Sequence, residues 1–267
     1  IYDYRTDDAL PYMVTEFLEG VDLYDILERH DRVAADVAAI VGLQVARALD
    51  YAHARGVIHR DVKPANIMFT VTGGIKLMDF GIARQESFGD LTQAGAGVGT
   101  PAYMSPEQIL GEKLDGRTDV WSLGVVLYQM LTGEKPFQQD DERTVLHNIR
   151  VERPVPPRQR VADVPRELER IVLRCLEKSP RDRYPVAQQL ALALERFVAA
   201  RLTVPHKLRL VTWLENLGEL TPEQAQAAIP ADGDDGMRAQ WRQAPAEPSG
   251  PPLGIPAAGW VAGVSAV

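Results

Sequence analysis

The chain has 267 residues, a formal charge of −8 at pH 7 and a hydrophobic share of 45%. This length fits one large domain with an extension, or two modest domains, and the apolar share is enough for a sizeable core. The acidic balance argues against a nucleic-acid partner, which would need basic stripes. The single cysteine, Cys175, excludes a disulfide framework and a cysteine-based zinc site, and its apolar helical surroundings predict a small core residue.

The sequence predicts two strands and two helices in the first part of the chain. Their predicted bounds are 1–4 and 12–17 for the strands, and 22–30 and 34–54 for the helices. Gly20 would end the second strand, and Gly56 would close the longer helix. His53 lies at the end of that helix, which carries no second imidazole. It is therefore predicted to be a surface or capping residue and not a metal ligand.

The most informative stretch is a polar loop, His59-Arg60-Asp61-Val62-Lys63-Pro64-Ala65-Asn66, followed downstream by Asp79-Phe80-Gly81. The apolar runs 67–69 and 75–78 lie between them and are separated by two glycines, which predicts a β-hairpin. Such a hairpin would bring Asn66 and Asp79 close together. Amide and carboxylate oxygens that converge from two loops suit a hard cation such as Mg²⁺. Asp61 is a second carboxylate, and the sequence alone indicates no structural role for it.

This stretch resembles the catalytic loop of eukaryotic-type serine/threonine protein kinases, including those of bacteria, in which H-R-D-x-x-x-x-N is followed by D-F-G. Ser105-Pro106-Glu107 and Asp119-Val120-Trp121-Ser122 follow in the order of that family. A solvated loop with accidental aspartates is the alternative interpretation. The resemblance implies an α+β, protein-kinase-like fold, consisting mostly of the α-helical C-lobe and the hinge.

The resemblance also implies roles for individual residues in ATP-dependent phosphoryl transfer to serine or threonine hydroxyls of proteins. Asp61, Lys63 and Asn66 would be catalytic, and Asn66 and Asp79 would hold Mg²⁺. The supporting residues of the two loops would be His59, Arg60, Phe80 and Gly81. The ATP-binding residues would be the backbones of Glu16 and Leu18 at the adenine edge, Asp22 at the ribose and Met68 beneath the adenine.

Residues 79–107 would form the activation segment. Thr100 resembles the substrate-loop threonine that bonds the catalytic aspartate and lysine, and together with Lys63 it favours serine or threonine acceptors over tyrosine. Arg60 is typical of kinases that are switched by phosphorylation of this segment. We predict Thr92 as the phosphorylation site, with Ser87 as the second choice; a plain polar loop residue is the alternative.

The C-lobe would be completed by helices over residues 118–132, 142–151, 166–177 and 185–200. By the same resemblance, Asp119 would accept backbone N–H bonds from the turn at His59 and Arg60. Glu107 and Arg183 would form a buried ion pair between the activation segment and a late helix. All of these roles are structural.

The predicted domain organisation has four parts. They are residues 1–20 as the last N-lobe strands and hinge, 21–200 as the C-lobe, 201–230 as a helical extension and 231–267 as a disordered linker. Within the extension, residues 204–220 predict one helix and Thr221 starts another. The uncharged residues 253–267 are too short to span a bilayer, and either begin a transmembrane segment that continues beyond Val267 or prolong the linker. We expect a cytoplasmic kinase domain, with an inner-membrane anchor under the first interpretation.

The glycine-rich loop, the strand lysine and the helix glutamate of the family would all lie upstream of Ile1. We therefore expect residues 1–267 alone to bind MgATP poorly and to transfer little phosphate. Two other functions remain open. One is a pseudokinase scaffold. A scaffold does not need these four catalytic and metal-binding side chains, so their presence argues against it; they are Asp61, Lys63, Asn66 and Asp79. The other is a small-molecule phosphotransferase, against which the substrate loop at residues 99–107 argues.

Overall fold

The computed structural model describes residues 2–5, 12–80, 101–139 and 144–229. Residues 1–230 form one compact unit of the chain. The strands within the described ranges are β1 (Asp3–Arg5), β2 (Tyr12–Val14), β3 (Gly20–Asp22), β4 (Ile67–Thr70) and β5 (Ile75–Leu77). The helices are α1 (Leu23–Arg29), α2 (Ala35–His53), α3 (Pro106–Ile109), α4 (Arg117–Thr132), α5 (Val145–Val151), α6 (Pro157–Arg160), α7 (Arg166–Cys175), α8 (Ala187–Ala199), α9 (His206–Asn216) and α10 (Pro222–Ala228).

Two small antiparallel sheets contain all five strands. β1 pairs with β2, and both strands are shorter than the sequence predicted. The second sheet has the order β3-β4-β5. Its β4–β5 hairpin is the one that the two glycines predicted, with Ile67 opposite Leu77. β3 was not predicted, because the sequence suggested that strand structure stops at Gly20, where β3 begins.

The core lies among the long helices, with α2 packed against α8 and α4, and α4 packed against α7. α4 is buried along nearly its whole length, as its continuous apolar sequence requires. A β-carbon on Gly124 would lie 2.5 Å from Cβ of Cys175 on α7, so the glycine allows the two helices to approach closely. Cys175 is a buried, free cysteine, as predicted.

The helix starts follow from local sequence. The Asp22 side chain accepts a hydrogen bond from the Asp25 amide and caps α1. Ser105 and Gln108 form a capping box at α3, and Thr221 and Gln224 form another at α10. The predicted start of α10 at Thr221 is therefore confirmed.

The last two helices fold back onto the lobe. Buried apolar side chains of α9 and α10 join the main core, and they include Leu210, Val211, Trp213, Leu214 and Ala225. None of the helices in the described residues combines the length and apolar character that crossing a bilayer requires. Residues 253–267, where the start of a span was predicted, lie outside the described residues.

Candidate active site

The polar loop between α2 and β4 is anchored on a buried carboxylate. Asp119, at the start of α4, is fully buried and accepts hydrogen bonds from the His59 amide through Oδ2 and from the Arg60 amide through Oδ1, both at 2.8 Å. Arg60 adopts a positive φ of 67°, which is uncommon for a residue with a side chain. The two bonds hold the loop in that turn, and this is the contact that the sequence predicted for Asp119.

His53 is a third partner of the same carboxylate. Its Nε2 lies 2.7 Å from Oδ2 of Asp119, and its side chain is largely buried. The prediction that His53 is a surface or capping residue is therefore wrong. The residues around His53 do not indicate this contact, because the partner lies 66 residues downstream and on another helix.

His59 joins the loop to the end of the hairpin. Its buried ring donates from Nε2 to the Met78 carbonyl at 2.8 Å and accepts at Nδ1 from the Asp61 amide at 3.3 Å. Burial lowers the pKa of His59, against the opposing effects of the Met78 carbonyl and nearby carboxylates, and this favours the neutral ring. Phe80 packs on the ring with 4.6 Å between centroids. His59 therefore aligns the two loops.

Asp61 lies at the centre of a small polar cluster. Lys63 Nζ is 2.7 Å from Oδ2 of Asp61. Asn66 Nδ2 donates to the Asp61 carbonyl at 2.7 Å and more weakly to its Oδ2 at 3.3 Å. The carboxylate is thereby oriented by a cation and an amide while remaining about a quarter exposed. Such a group can accept a proton from a hydroxyl that approaches from solvent.

The hairpin brings Asn66 and Asp79 together at its open end. The Met78 amide donates to the Asn66 carbonyl at 2.8 Å, one residue before Asp79. Asp79 is exposed and adopts a positive φ of 53°. The Asn66 amide nitrogen is engaged by Asp61, so the oxygen of this side chain is its remaining metal-ligand atom. One amide and one carboxylate oxygen suit a divalent cation whose other ligands are phosphates and water.

In the described part of the chain, no group of three or more His, Cys, Asp or Glu side chains gathers in a metal-binding arrangement. Asn66 and Asp79 would therefore need further ligands from outside the described side chains to hold a cation.

The predicted nucleotide residues lie on β3, on β4 and in the segment between β2 and β3. Asp22 of β3 is directly opposite Met68 of β4, so the residues predicted to contact the ribose and the adenine are neighbours across the two strands. One oxygen of Asp22 already caps α1, which leaves the other for a ligand. Glu16 is exposed and pairs through its side chain with Lys76 at 3.2 Å. Leu18 is half-buried in the same extended segment.

The C-terminal end of the activation segment is fixed to the lobe. The Gln108 side chain donates to the Arg60 carbonyl at 2.9 Å, and Ser105 bonds Thr118 through their hydroxyls. The Tyr103 hydroxyl donates to Gln129 on α4 at 2.6 Å. This segment therefore lies directly beside the polar loop.

Glu107 and Arg183 form the predicted buried ion pair. Both guanidinium nitrogens of the fork contact the carboxylate, at 2.7 and 2.9 Å. The other three N–H groups of Arg183 donate to backbone carbonyls, namely those of Glu177, Lys178 and Arg117. Burial alone would raise the pKa of Glu107, but the hydrogen bonds and charge of Arg183 outweigh it and lower the pKa.

Gly81, Thr92 and Thr100, together with Ser87, lie outside the described residues. The roles predicted for them stay predictions.

The chain is similar in sequence to known protein kinases over most of its length. A family model described as the protein kinase domain matches residues 1–193. The serine/threonine-protein kinase PknB of Mycolicibacterium smegmatis is 46% identical over 189 residues, and that of Mycobacterium tuberculosis is 43% identical over the same length. A probable serine/threonine-protein kinase of Clostridium perfringens is 39% identical over 196 residues. These matches cover 70–73% of this chain but only about 30% of each relative's length.

Proposed function

Because the chain belongs to the protein kinase family, we propose that the whole protein transfers the γ-phosphoryl group of ATP to serine or threonine hydroxyls of other proteins. The observation that carries this proposal is the cluster in which Lys63 and Asn66 orient the carboxylate of Asp61. The named relatives are serine/threonine kinases, which supports the same acceptor class.

In the proposed reaction, Asp61 orients the acceptor hydroxyl and accepts its proton. The hydroxyl oxygen bonds to the γ-phosphorus as the bond from that phosphorus to the β–γ bridging oxygen breaks, and ADP leaves with the bond's electron pair. Lys63, 2.7 Å from Asp61, offsets negative charge that develops on the transferred group. The protein contributes position and electrostatics and forms no covalent intermediate.

The family uses ATP with a divalent metal, and we propose that the metal is Mg²⁺. Asn66 and Asp79 would hold it, since hard oxygen donors with an incomplete protein shell suit that ion. When bound, the metal neutralises charge on the phosphates of the nucleotide. Met68 and Asp22, opposite each other on β4 and β3, would contact the adenine and the ribose, and the backbones of Glu16 and Leu18 would bond the adenine edge.

We propose that acceptor choice depends on Lys63 together with Thr100 in the substrate loop. We also propose that phosphorylation of Thr92 activates the protein. In the described residues, the buried Nε of Arg60 has no hydrogen-bond partner. A buried, unsatisfied N–H is costly, and a phosphate on the activation segment would satisfy it with a charge-assisted bond. We place the kinase domain in the cytoplasm, where ATP is available.

The test is transfer of labelled phosphate from ATP to a protein or peptide by the full-length protein, with mass spectrometry to locate the product. Asp61→Asn should abolish transfer, while Asp163→Asn, a change at an exposed surface carboxylate, should leave it intact. Equal product from wild type and Asp61→Asn would contradict the role proposed for Asp61. No product from the wild type would contradict the kinase function and favour a scaffold. Phosphate found only on a small molecule would favour the small-molecule phosphotransferase.

A further inference from the structure

The helices α9 and α10 lie after residue 193, where the match to the protein kinase model ends. They are nevertheless built into the lobe. Leu210 and Val211 are almost fully buried, and Trp213 and Leu220 are buried in the same core as α2 and α4. The extension is thus a part of this chain that the family match does not explain.

Two ion pairs fix the extension in place. Arg209 of α9 donates from Nε and Nη2 to the two oxygens of Asp36 on α2, at 2.6 and 3.0 Å, in a mostly buried setting. Arg29 of α1 contacts Glu219, which follows α9, at 2.6 Å. A two-point guanidinium pair fixes orientation as well as distance, so α9 has a defined position on the lobe.

The face of α9 that these pairs orient lies against the β4–β5 hairpin. The Trp213 ring packs on Phe69 of β4 with 5.6 Å between centroids and a tilt of 56°. At the hairpin turn, a β-carbon on Gly73 would lie 2.4 Å from Cγ2 of Val211. Gly73 also has a φ of +75°, which glycine adopts readily. The absence of a side chain at Gly73 allows α9 to contact both the strand and its turn.

The same hairpin carries the proposed metal ligands. Asn66 immediately precedes β4, and Asp79 follows β5 after Met78, whose amide bonds the Asn66 carbonyl. Side chains on β4 alternate between faces, so Phe69, buried against Trp213, and Met68 point to opposite sides. α9 therefore supports the hairpin from the side opposite the one that would face the nucleotide.

We propose that Trp213 is a positioning residue for the metal loop, acting through Phe69 and the hairpin on Asn66 and Asp79; the proposal rests on the proposed kinase function. Through Trp213, α9 then helps to position the metal ligands and is not a passive appendage. Loss of the indole frees β4 from its support and lets the two ligands separate. The consequence is weaker use of the metal, with acceptor binding unchanged.

The experiment compares Trp213→Ala and Trp213→Phe in the full-length protein. Trp213→Ala should raise the Mg²⁺ concentration for half-maximal activity on the order of 3- to 10-fold while leaving the KM for the peptide unchanged. Trp213→Phe retains a ring against Phe69 and should restore most of the metal dependence. Leu220→Ala is the matched control, since it removes a buried side chain beyond the end of α9, nine residues after Val211.

A second readout does not depend on activity. Backbone amide hydrogen exchange over residues 66–78 should accelerate in Trp213→Ala and stay near wild type in Leu220→Ala. Val211→Ala, a milder change at the Gly73 contact, should give a smaller effect in the same direction and serves if Trp213→Ala does not fold. Unchanged exchange and unchanged metal dependence in these variants would overturn the inference. Absence of transfer by the wild type would instead overturn the kinase function, while the exchange experiment would still test the contact.

Discussion

His53 Nε2 lies 2.7 Å from Oδ2 of Asp119, so this contact joins α2, which ends shortly before the polar loop, to the start of α4. Asp119 has no exposed surface, and its oxygens receive this bond together with two from the loop backbone. A buried carboxylate is tolerated only when it is paired and hydrogen-bonded, and here those bonds also shape the loop.

Removing this anchor should destabilise the protein and distort the loop. We expect Asp119→Ala to lower the free energy of unfolding by about 3–5 kcal/mol, because two backbone N–H groups and His53 lose their acceptor. His53→Ala should cost less, about 1–3 kcal/mol, since both backbone bonds remain. Urea unfolding followed by tryptophan fluorescence measures both values. Glu195→Ala, which breaks an exposed pair with Arg47, is the control and should change stability by no more than ~1 kcal/mol.

Arg183 should resist conservative replacement. Its five N–H groups donate to Glu107 and to three backbone carbonyls, in a site where its side chain has no exposed surface. A lysine has three donors on one atom and cannot reproduce that fork. We therefore expect Arg183→Lys to lose most of what Arg183→Ala loses, about 3–5 kcal/mol in unfolding experiments. Full stability of the lysine variant would show that charge alone is sufficient.

Lys178 should make stability rise with pH on the alkaline side. Its Nζ donates to the Ile149 carbonyl at 2.6 Å and lies 3.9 Å from the Phe137 ring centre. Burial, and then the charge of Arg183, lower the pKa of Lys178 to about 8, whereas an unfolded lysine titrates near 10.4.

Between these two pKa values the unfolded chain binds a proton that the folded chain has released, so the free energy of unfolding increases with pH. The slope should be at most on the order of 1 kcal/mol per pH unit, and Lys178→Met should remove it. The measurement is the difference between wild-type and variant unfolding curves from pH 7 to 10, which cancels the other titrating groups. Parallel curves across that window would contradict the prediction.

The features of this fold that depend on local sequence or on family motifs were predictable, whereas contacts between distant parts of the chain were not. Periodicity predicted the long helices, and the resemblance to protein kinases implied that Asp119 contacts the loop and that Glu107 meets Arg183. Contacts between residues outside those motifs could not be predicted from the sequence. β3 forms only because β4, almost fifty residues later, pairs with it, and His53 finds its partner across 66 residues. The contact of Trp213 with Phe69 likewise depends on α9 folding back onto β4, which the local sequence does not indicate.

Arg60 offers a direct test of the proposed activation by phosphorylation. Its Nε is buried without a partner among the described residues, and its backbone is fixed on both sides by Asp119 and Gln108. A phosphate on Thr92 that pairs with this guanidinium would order the activation segment. We therefore expect phosphatase treatment to lower wild-type activity, on the order of tenfold, and Thr92→Ala to remain at that lower level.

Arg60→Gln should be equally low, and phosphatase should not lower it further, because the variant cannot use the phosphate. Arg55→Gln is the matched control, since Arg55 stacks on exposed Tyr51 away from the loop backbone contacts. The activity of the wild type and of the three variants is measured before and after phosphatase treatment, and mass spectrometry determines whether residue 92 carries phosphate. If Thr92 carries no phosphate and Thr92→Ala is fully active, the activating site is elsewhere. If Arg60→Gln still responds to phosphatase, the phosphate acts through another group, and the unsatisfied nitrogen of Arg60 has a different partner.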